Sequence, residues 1–303
     1  VNSGAIGGSA ASPLPWPGLL LALGGSIAFS GKAIIVKLAY RHGVDPVTLI
    51  MYRMLFALPL FVALSWWAGR GKAPLAARDR WIVAGLGFCG YYLASLLDFI
   101  GLQYLTAGLE RLILYLTPTL VLVLGTLLFK RPIGWRQGVA LAVGYAGALI
   151  VFGHELHLEG GSVALGAALV FASTISYAVY LIFSGEVVQR IGSMRLTGLA
   201  STVACLLCIG HWLVMQPLAS AQVAPAVLWL SVLNSTLCTV APVLMVMMAI
   251  ERIGSALTAQ VGMIGPLSTI AMGVVLLGEP FTLWLVAGTA CVLMGVWLLA
   301  KWR

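Results

Sequence analysis

The stretch Tyr115-Leu116-Thr117-Pro118, with the apolar run that follows it to Leu127-Leu128-Phe129-Lys130-Arg131-Pro132, occurs twice in this chain. Its second copy begins 148 residues later as Met263-Ile264-Gly265-Pro266 and closes as Val275-Leu276-Leu277-Gly278-Glu279-Pro280. The same shift carries Gly147 onto Gly295 and Phe29 onto Tyr177. A constant offset with few gaps describes one structural unit used twice. Working outward from the two copies gives a first unit over residues 16–152 and a second over 161–300. Residues 1–15, rich in Gly, Ala and Ser, are expected to be a flexible end or an expression remnant.

Of the 303 residues, 61% are hydrophobic and only 9% are charged, and mean hydropathy is +1.04. A soluble domain carries about 25% charged residues, so this chain has lipid as its solvent. The net charge of +8 does not point to nucleic acid, because the basic residues sit in short connectors between apolar runs. Cys89, Cys205, Cys208, Cys238 and Cys291 all fall inside apolar runs and are read as small core residues, with no disulfide framework. Cys205-x-x-Cys208 has redox spacing without a thioredoxin-like context. The first apolar run is too long for a cleavable signal peptide and leads into a multi-span pattern.

Crossing a bilayer takes about 20 apolar residues. Ten runs meet that length: 16–40, 46–67, 81–104, 107–129 and 134–152, then 161–184, 193–215, 226–250, 254–277 and 281–300. Breakers such as Asp45-Pro46, Gly160-Gly161 and Glu279-Pro280 separate them. With the N-terminus inside, twelve of the 17 Lys and Arg residues lie on the inner side and three on the outer, while Lys32 and Arg53 lie within spans. That asymmetry predicts that both termini are cytoplasmic, and tryptophans near both interfaces agree. Five spans per unit is odd, so the second unit enters the membrane inverted. The expected fold is all-α and integral to the membrane, with ten transmembrane helices as two inverted five-helix repeats, the arrangement of secondary transporters with a midplane site.

Charges within spans are costly and tend to face a cavity with partners. Lys32, Arg53, Asp98, Glu110 and Arg111 are all in the first half; the 148-residue shift maps them onto Tyr180, Ser201, Val246, Thr258 and Ala259, none charged. Tyr91, Ser95 and Asp98 share one helical face at i, i+4, i+7, and Arg111, Tyr115 and Pro118 share another. These faces predict a gate or substrate site, or an ion-pair network that locks the helices, the reading favoured for Arg53 and Glu110. Pro118 and Pro266 free the carbonyls of Leu114 and Gly262 and are candidate hinges, with a static kink as the alternative. Gly85-x-Gly87-x-x-Gly90 fits a dinucleotide fingerprint, yet no strand precedes it, so close helix packing is expected. His154-Glu155-x-His157 is placed in a solvated outer loop, and His211 is read as a polar packing residue. No catalytic constellation, metal site or cofactor motif is found, and no enzyme activity is expected.

The chain resembles the drug/metabolite transporter superfamily, specifically its EamA-type exporters. The matching residues are Pro118 and Pro266 with the runs after them, the glycines of each final span (Gly138, Gly144, Gly147; Gly288, Gly295), and Arg53 after Asp45-Pro46. One departure is that Gly278-Glu279 has Lys130-Arg131 as its first-half counterpart. The resemblance implies export of small metabolites by alternating access, with the aromatic amino acid exporter (YddG-like) branch as the nearest guess. Aromatics near mid-depth (Phe29, Tyr91, Tyr92, Tyr115, Tyr177) suit a flat or apolar solute. Lys32 and Asp98, with Ser95, suit the charged ends of an amino acid. The expected partners are such a solute and membrane lipid, with no nucleic acid, and the expected working unit is a monomer in a bacterial inner membrane. A channel, an exporter of other drugs or metabolites, and a membrane enzyme are the competing readings.

Overall fold

A computed structural model describes residues 16–129, 134–159, 161–262 and 264–301. Helices are the regular elements among the described residues, and no strand occurs there. Eight of them are long and apolar enough to cross a membrane, and two further apolar helices, Ile264–Leu277 and Leu283–Leu298, are shorter. Large apolar side chains face outward, Val214 at 81% exposure and Leu283 at 84%, as a lipid-facing surface requires.

Helix α1 (Trp16–Tyr40) leads by a tight turn into α2 (Pro46–Gly69). Asp45 starts α2: its carboxylate accepts the Thr48 N–H at 3.0 Å, and Pro46 at the first position wastes no donor. The third span is α3 (Ala77–Gly87) and α4 (Ala94–Leu102), joined by a π-helical turn at Phe88–Leu93. The fourth is α5 (Ala107–Leu114), started by Thr106, and α6 (Thr117–Phe129). The break at Tyr115-Leu116 precedes Pro118, and the Thr117 hydroxyl donates at 2.5 Å to the Leu114 carbonyl that the proline leaves unpaired. Helix α7 (Trp135–Glu159) completes the first half.

The second half holds α8 (Gly161–Ile191), α9 (Ser193–Met215), α10 (Pro225–Ser235), α11 (Ala241–Gly262), α12 (Ile264–Met272) and α13 (Leu283–Lys301). A π-helical turn at Thr236–Val240 joins α10 to α11. Its first residue is the counterpart of Phe88 under the 148-residue shift, so the two halves share an irregularity as well as a sequence pattern. Within α11 the chain reverses. Cβ atoms on Gly25 and Gly18 would meet Met245 and Ile253 in turn, whereas one on Gly262 would be 3.6 Å from Ser26 Oγ. Helical hydrogen bonding continues on both sides of the reversal, where a connector between two runs was expected.

The two halves pack as mates. α1 lies along α11 and α8 along α4, while α2 pairs with its counterpart α9, and α7 with its counterpart α13. The last pair touches backbone to backbone. A Cβ on Gly147 would be 2.6 Å from the Gly288 carbonyl oxygen, and one on Gly295 would be 2.7 Å from the Gly144 nitrogen. Small residues here permit the close approach that lipid-embedded helices use in place of a hydrophobic drive. Gly87 and Gly90 act likewise, against the Ala200 backbone and the Tyr180 ring.

Candidate functional site

The intramembrane charges come together. Lys32 reaches from α1 to place its ammonium 2.5 Å from Asp98 Oδ2 on α4 and 3.2 Å from Glu110 Oε1 on α5. Asp98 is 3% exposed and Glu110 is fully buried. Isolated carboxylates at that depth would be strongly disfavoured, and the shared ammonium offsets much of that cost. Two guanidiniums flank the trio. Arg53 on α2 donates to Ser95 Oγ at 2.9 Å and stacks over the Phe99 ring at 4.7 Å. Arg111 on α5 donates to Ser30 Oγ at 3.1 Å, with Tyr115 beside it at 5.8 Å. Three cations therefore face two carboxylates. Asp98 Oδ1, Glu110 Oε2, Arg53 Nε and Arg111 Nε are buried without a hydrogen-bond partner among the described residues, so the cluster keeps polar capacity of both signs.

Next to it the two repeated stretches meet. The Tyr115 hydroxyl, at the break in the fourth span, donates to the Gly262 carbonyl at 2.5 Å. Ser30 donates to the Gly265 carbonyl at 2.8 Å. A side chain at Gly265 would not fit, since its Cβ would lie 2.7 Å from Tyr115 Oη. At the end of the bundle that holds Tyr40, Glu279 Oε1 accepts the Ala107 N–H at 2.7 Å, in the first turn of α5. Gly278 before it has φ +73°, a conformation that glycine adopts freely.

The expected site residues fall into neighbouring groups. Lys32 and Asp98 touch each other, Ser95 binds Arg53, and Tyr115 lies beside Arg111. Tyr91 and Tyr177 meet through Tyr180, whose hydroxyl is 3.2 Å from that of Tyr91 and whose ring stacks on Tyr177 at 5.6 Å. Tyr92 shares a hydrogen bond of 2.5 Å with His211 Nδ1 on α9. Phe29 is half-buried on α1, one residue before Ser30. The sequence puts Arg111 on a face that predicts a gate or substrate site, and favours an ion-pair lock for Glu110 and Arg53. Tyr180 was open to discovery, because the 148-residue shift sets it at the position of Lys32. Ser30, Gly262 and Gly265 gave no such signal, being ordinary small residues of apolar helices.

One expectation is corrected. His154 and Glu155 lie on α7, which continues to Glu159, and not in a loop. Glu155 is buried and accepts the Thr106 hydroxyl at 2.5 Å, and His154 stacks on Trp284 at 5.8 Å. The apolar run therefore extends a turn beyond its last aliphatic residues, with the acid satisfied by the neighbouring span. The side chain of His157 lies outside the described residues, as do Lys130, Arg131 and Pro132.

The chain is similar to uncharacterized transporters over most of its length. The uncharacterized transporter YcbK of Bacillus subtilis (strain 168) is 32% identical over 278 residues, 86% of each protein. The uncharacterized transporter YetK of the same organism is 22% identical over 284 residues, covering 93% of this chain and 86% of that protein. The WAT1-related protein At1g68170 of Arabidopsis thaliana is 27% identical over 195 residues, 55% of each. A solved crystal structure superposes with a TM-score of 0.65 over 94% of this chain and 99% of that one; at 15% identity, that likeness concerns the fold alone. Matched in both halves, over residues 16–153 and 164–301, this multi-pass membrane protein belongs to the EamA-like transporter family.

Proposed function

We propose that this protein exports amino acids, aromatic and large neutral ones foremost, across a bacterial inner membrane by alternating access. The observation that carries the reading is the buried Lys32–Asp98–Glu110 trio with Arg111 at its edge. A zwitterion needs a cation for its carboxylate and an anion for its ammonium, and fixed charges of both signs stand here without a full set of partners. Tyr115, Tyr91, Tyr177, Phe29 and Tyr92 supply aromatic surface for a side chain to stack on.

In this reading the eight long helices and the two shorter apolar ones all span, giving ten, with both termini cytoplasmic. The protein works as a monomer, without a cofactor. The hinges are Pro118 and Pro266, which sit in unlike surroundings although the scaffold repeats: Pro118 is exposed and Pro266 buried. One conformer of a rocking pair of inverted halves has this asymmetry.

The test is uptake and counterflow in proteoliposomes. Phenylalanine should enter saturably and exchange with preloaded phenylalanine. Entry no faster than into empty vesicles would remove the amino acid reading and leave export of another small metabolite. A channel would conduct without saturation; a ring of like charges would favour it, whereas the second-half counterparts of the charged residues are uncharged.

A further inference from the structure

A second site lies away from the charged cluster, on the flank of the bundle between α3 and α8. It is a cavity of about 430 Å³ lined by Arg78, Ile82, Gly85, Cys89, Phe183 and Arg190, among others. Arg78 is in the first turn of α3 and Arg190 in the last turn of α8, so the two guanidiniums stand together at one mouth. The walls below them are apolar. From Arg78 to Cys89 the groove follows about 16 Å of helix, close to the roughly 15 Å depth of one hydrocarbon leaflet.

We propose that this groove holds one anionic phospholipid of the phosphatidylglycerol class, with its phosphate on Arg78 and Arg190 and an acyl chain along Ile82, Gly85 and Phe183. Four features favour that occupant. Arg190 is held in place by Asp79 at 2.8 Å while its side chain stays 45% exposed, leaving guanidinium N–H groups for a phosphate. Arg78 is exposed. Trp81, 80% exposed one turn along α3, sets this mouth at headgroup level, where tryptophan prefers to sit. Gly85 borders open space in the groove, since a Cβ there would meet nothing within 4 Å. Paired arginines above an apolar slot recognise a lipid phosphate by charge and its tail by burial, and the net negative headgroup selects it over a zwitterionic one.

The site does not depend on which solute is carried. Native mass spectrometry of the detergent-purified protein, with equal phosphatidylglycerol and phosphatidylcholine added, tests it directly. Retained phosphatidylglycerol should exceed phosphatidylcholine by about fivefold or more. Arg78→Gln, which leaves the Arg190–Asp79 pair intact, and Gly85→Trp, which fills the slot, should each bring retention down to the phosphatidylcholine level. Both variants must elute monodisperse to count as folded. Glycerol phosphate in excess should not displace the lipid, because it lacks the tail. Equal retention of the two lipids by the unaltered protein, an excess that persists in either folded variant, or displacement by glycerol phosphate would overturn the proposal.

Discussion

The Tyr115 hydroxyl donates at 2.5 Å to the Gly262 carbonyl, the group that Pro266 leaves without its helical partner. Tyr115 itself stands in the break just before Pro118. A residue at the kink of one half thus satisfies the kink of the other. In the first half the same problem is solved locally, by Thr117 on Leu114. The second-half kink is tied across the interface.

Tyr115→Phe should therefore leave a buried carbonyl unpaired and destabilise the protein by about 1–3 kcal/mol. Thermal unfolding in detergent reads this, and transport should change with it. Gly265→Ala should be the more damaging variant, because its Cβ would press on Tyr115 Oη at 2.7 Å and on Arg111 at 3.4 Å. Wild-type melting for both would show that the contact carries no weight.

Lys32→Ala strands two buried carboxylates. Removing one partner of a buried ion pair costs about 3–5 kcal/mol, so abundance should fall as well as transport. The triple change Lys32→Ala, Asp98→Asn, Glu110→Gln removes the uncompensated charge and should restore abundance while transport stays absent. If the triple variant transports normally, the trio only locks helices.

The glycine contact between α7 and α13 gives a purely structural prediction. Gly295→Leu would drive a side chain into the backbone at Gly144 and Ala140, 2.7 and 2.8 Å from its Cβ. Folded yield should collapse, whereas Gly153→Leu, where a Cβ meets nothing within 4 Å, should be tolerated. Fluorescent-fusion size exclusion separates the two outcomes.

Much of the fold was legible because membrane helices announce themselves by length and apolarity, and because the 148-residue shift is strict. Pairing was not. Nothing in the sequence says that α1 lies along α11 instead of α8, since small and aliphatic residues fit many neighbours. The π-helical turns at Phe88 and Thr236 were equally silent, having no residue in common at corresponding positions. At the site, Lys32 and Asp98 were legible as lone charges in lipid. Their third partner, Glu110, was visible but open to a structural role, and Ser30 was invisible because a serine in a span is ordinary.

Topology is the next prediction. The basic residues crowd the connectors at the end of the bundle that holds Trp16, which should put Val1 and Arg303 in the cytoplasm. An alkaline phosphatase fusion at the C-terminus should be inactive and a green fluorescent fusion bright. The reverse pattern would turn the whole protein over.

The last prediction concerns the aromatic groups and the solute. Tyr177 stacks on Tyr180 at 5.6 Å, and Tyr180 meets Tyr91 edge-on at 5.1 Å, so the three rings form one surface from two spans. Aromatic pairs contribute about 0.5–1.5 kcal/mol beyond area burial, and an incoming ring can take the place of one of them at little cost. Cells overproducing the protein should resist toxic aromatic amino acid analogues, and Tyr177→Ala or Tyr115→Ala should abolish that resistance. Tyr180→Phe is the informative control, because it keeps the stack and loses the hydroxyl's contacts, the one at 3.2 Å to Tyr91 and a hydrogen bond with Thr197; it should retain most of the resistance. Resistance that survives Tyr177→Ala at normal abundance would assign this surface to packing alone and move the search for the side-chain pocket to Tyr115 and Phe29.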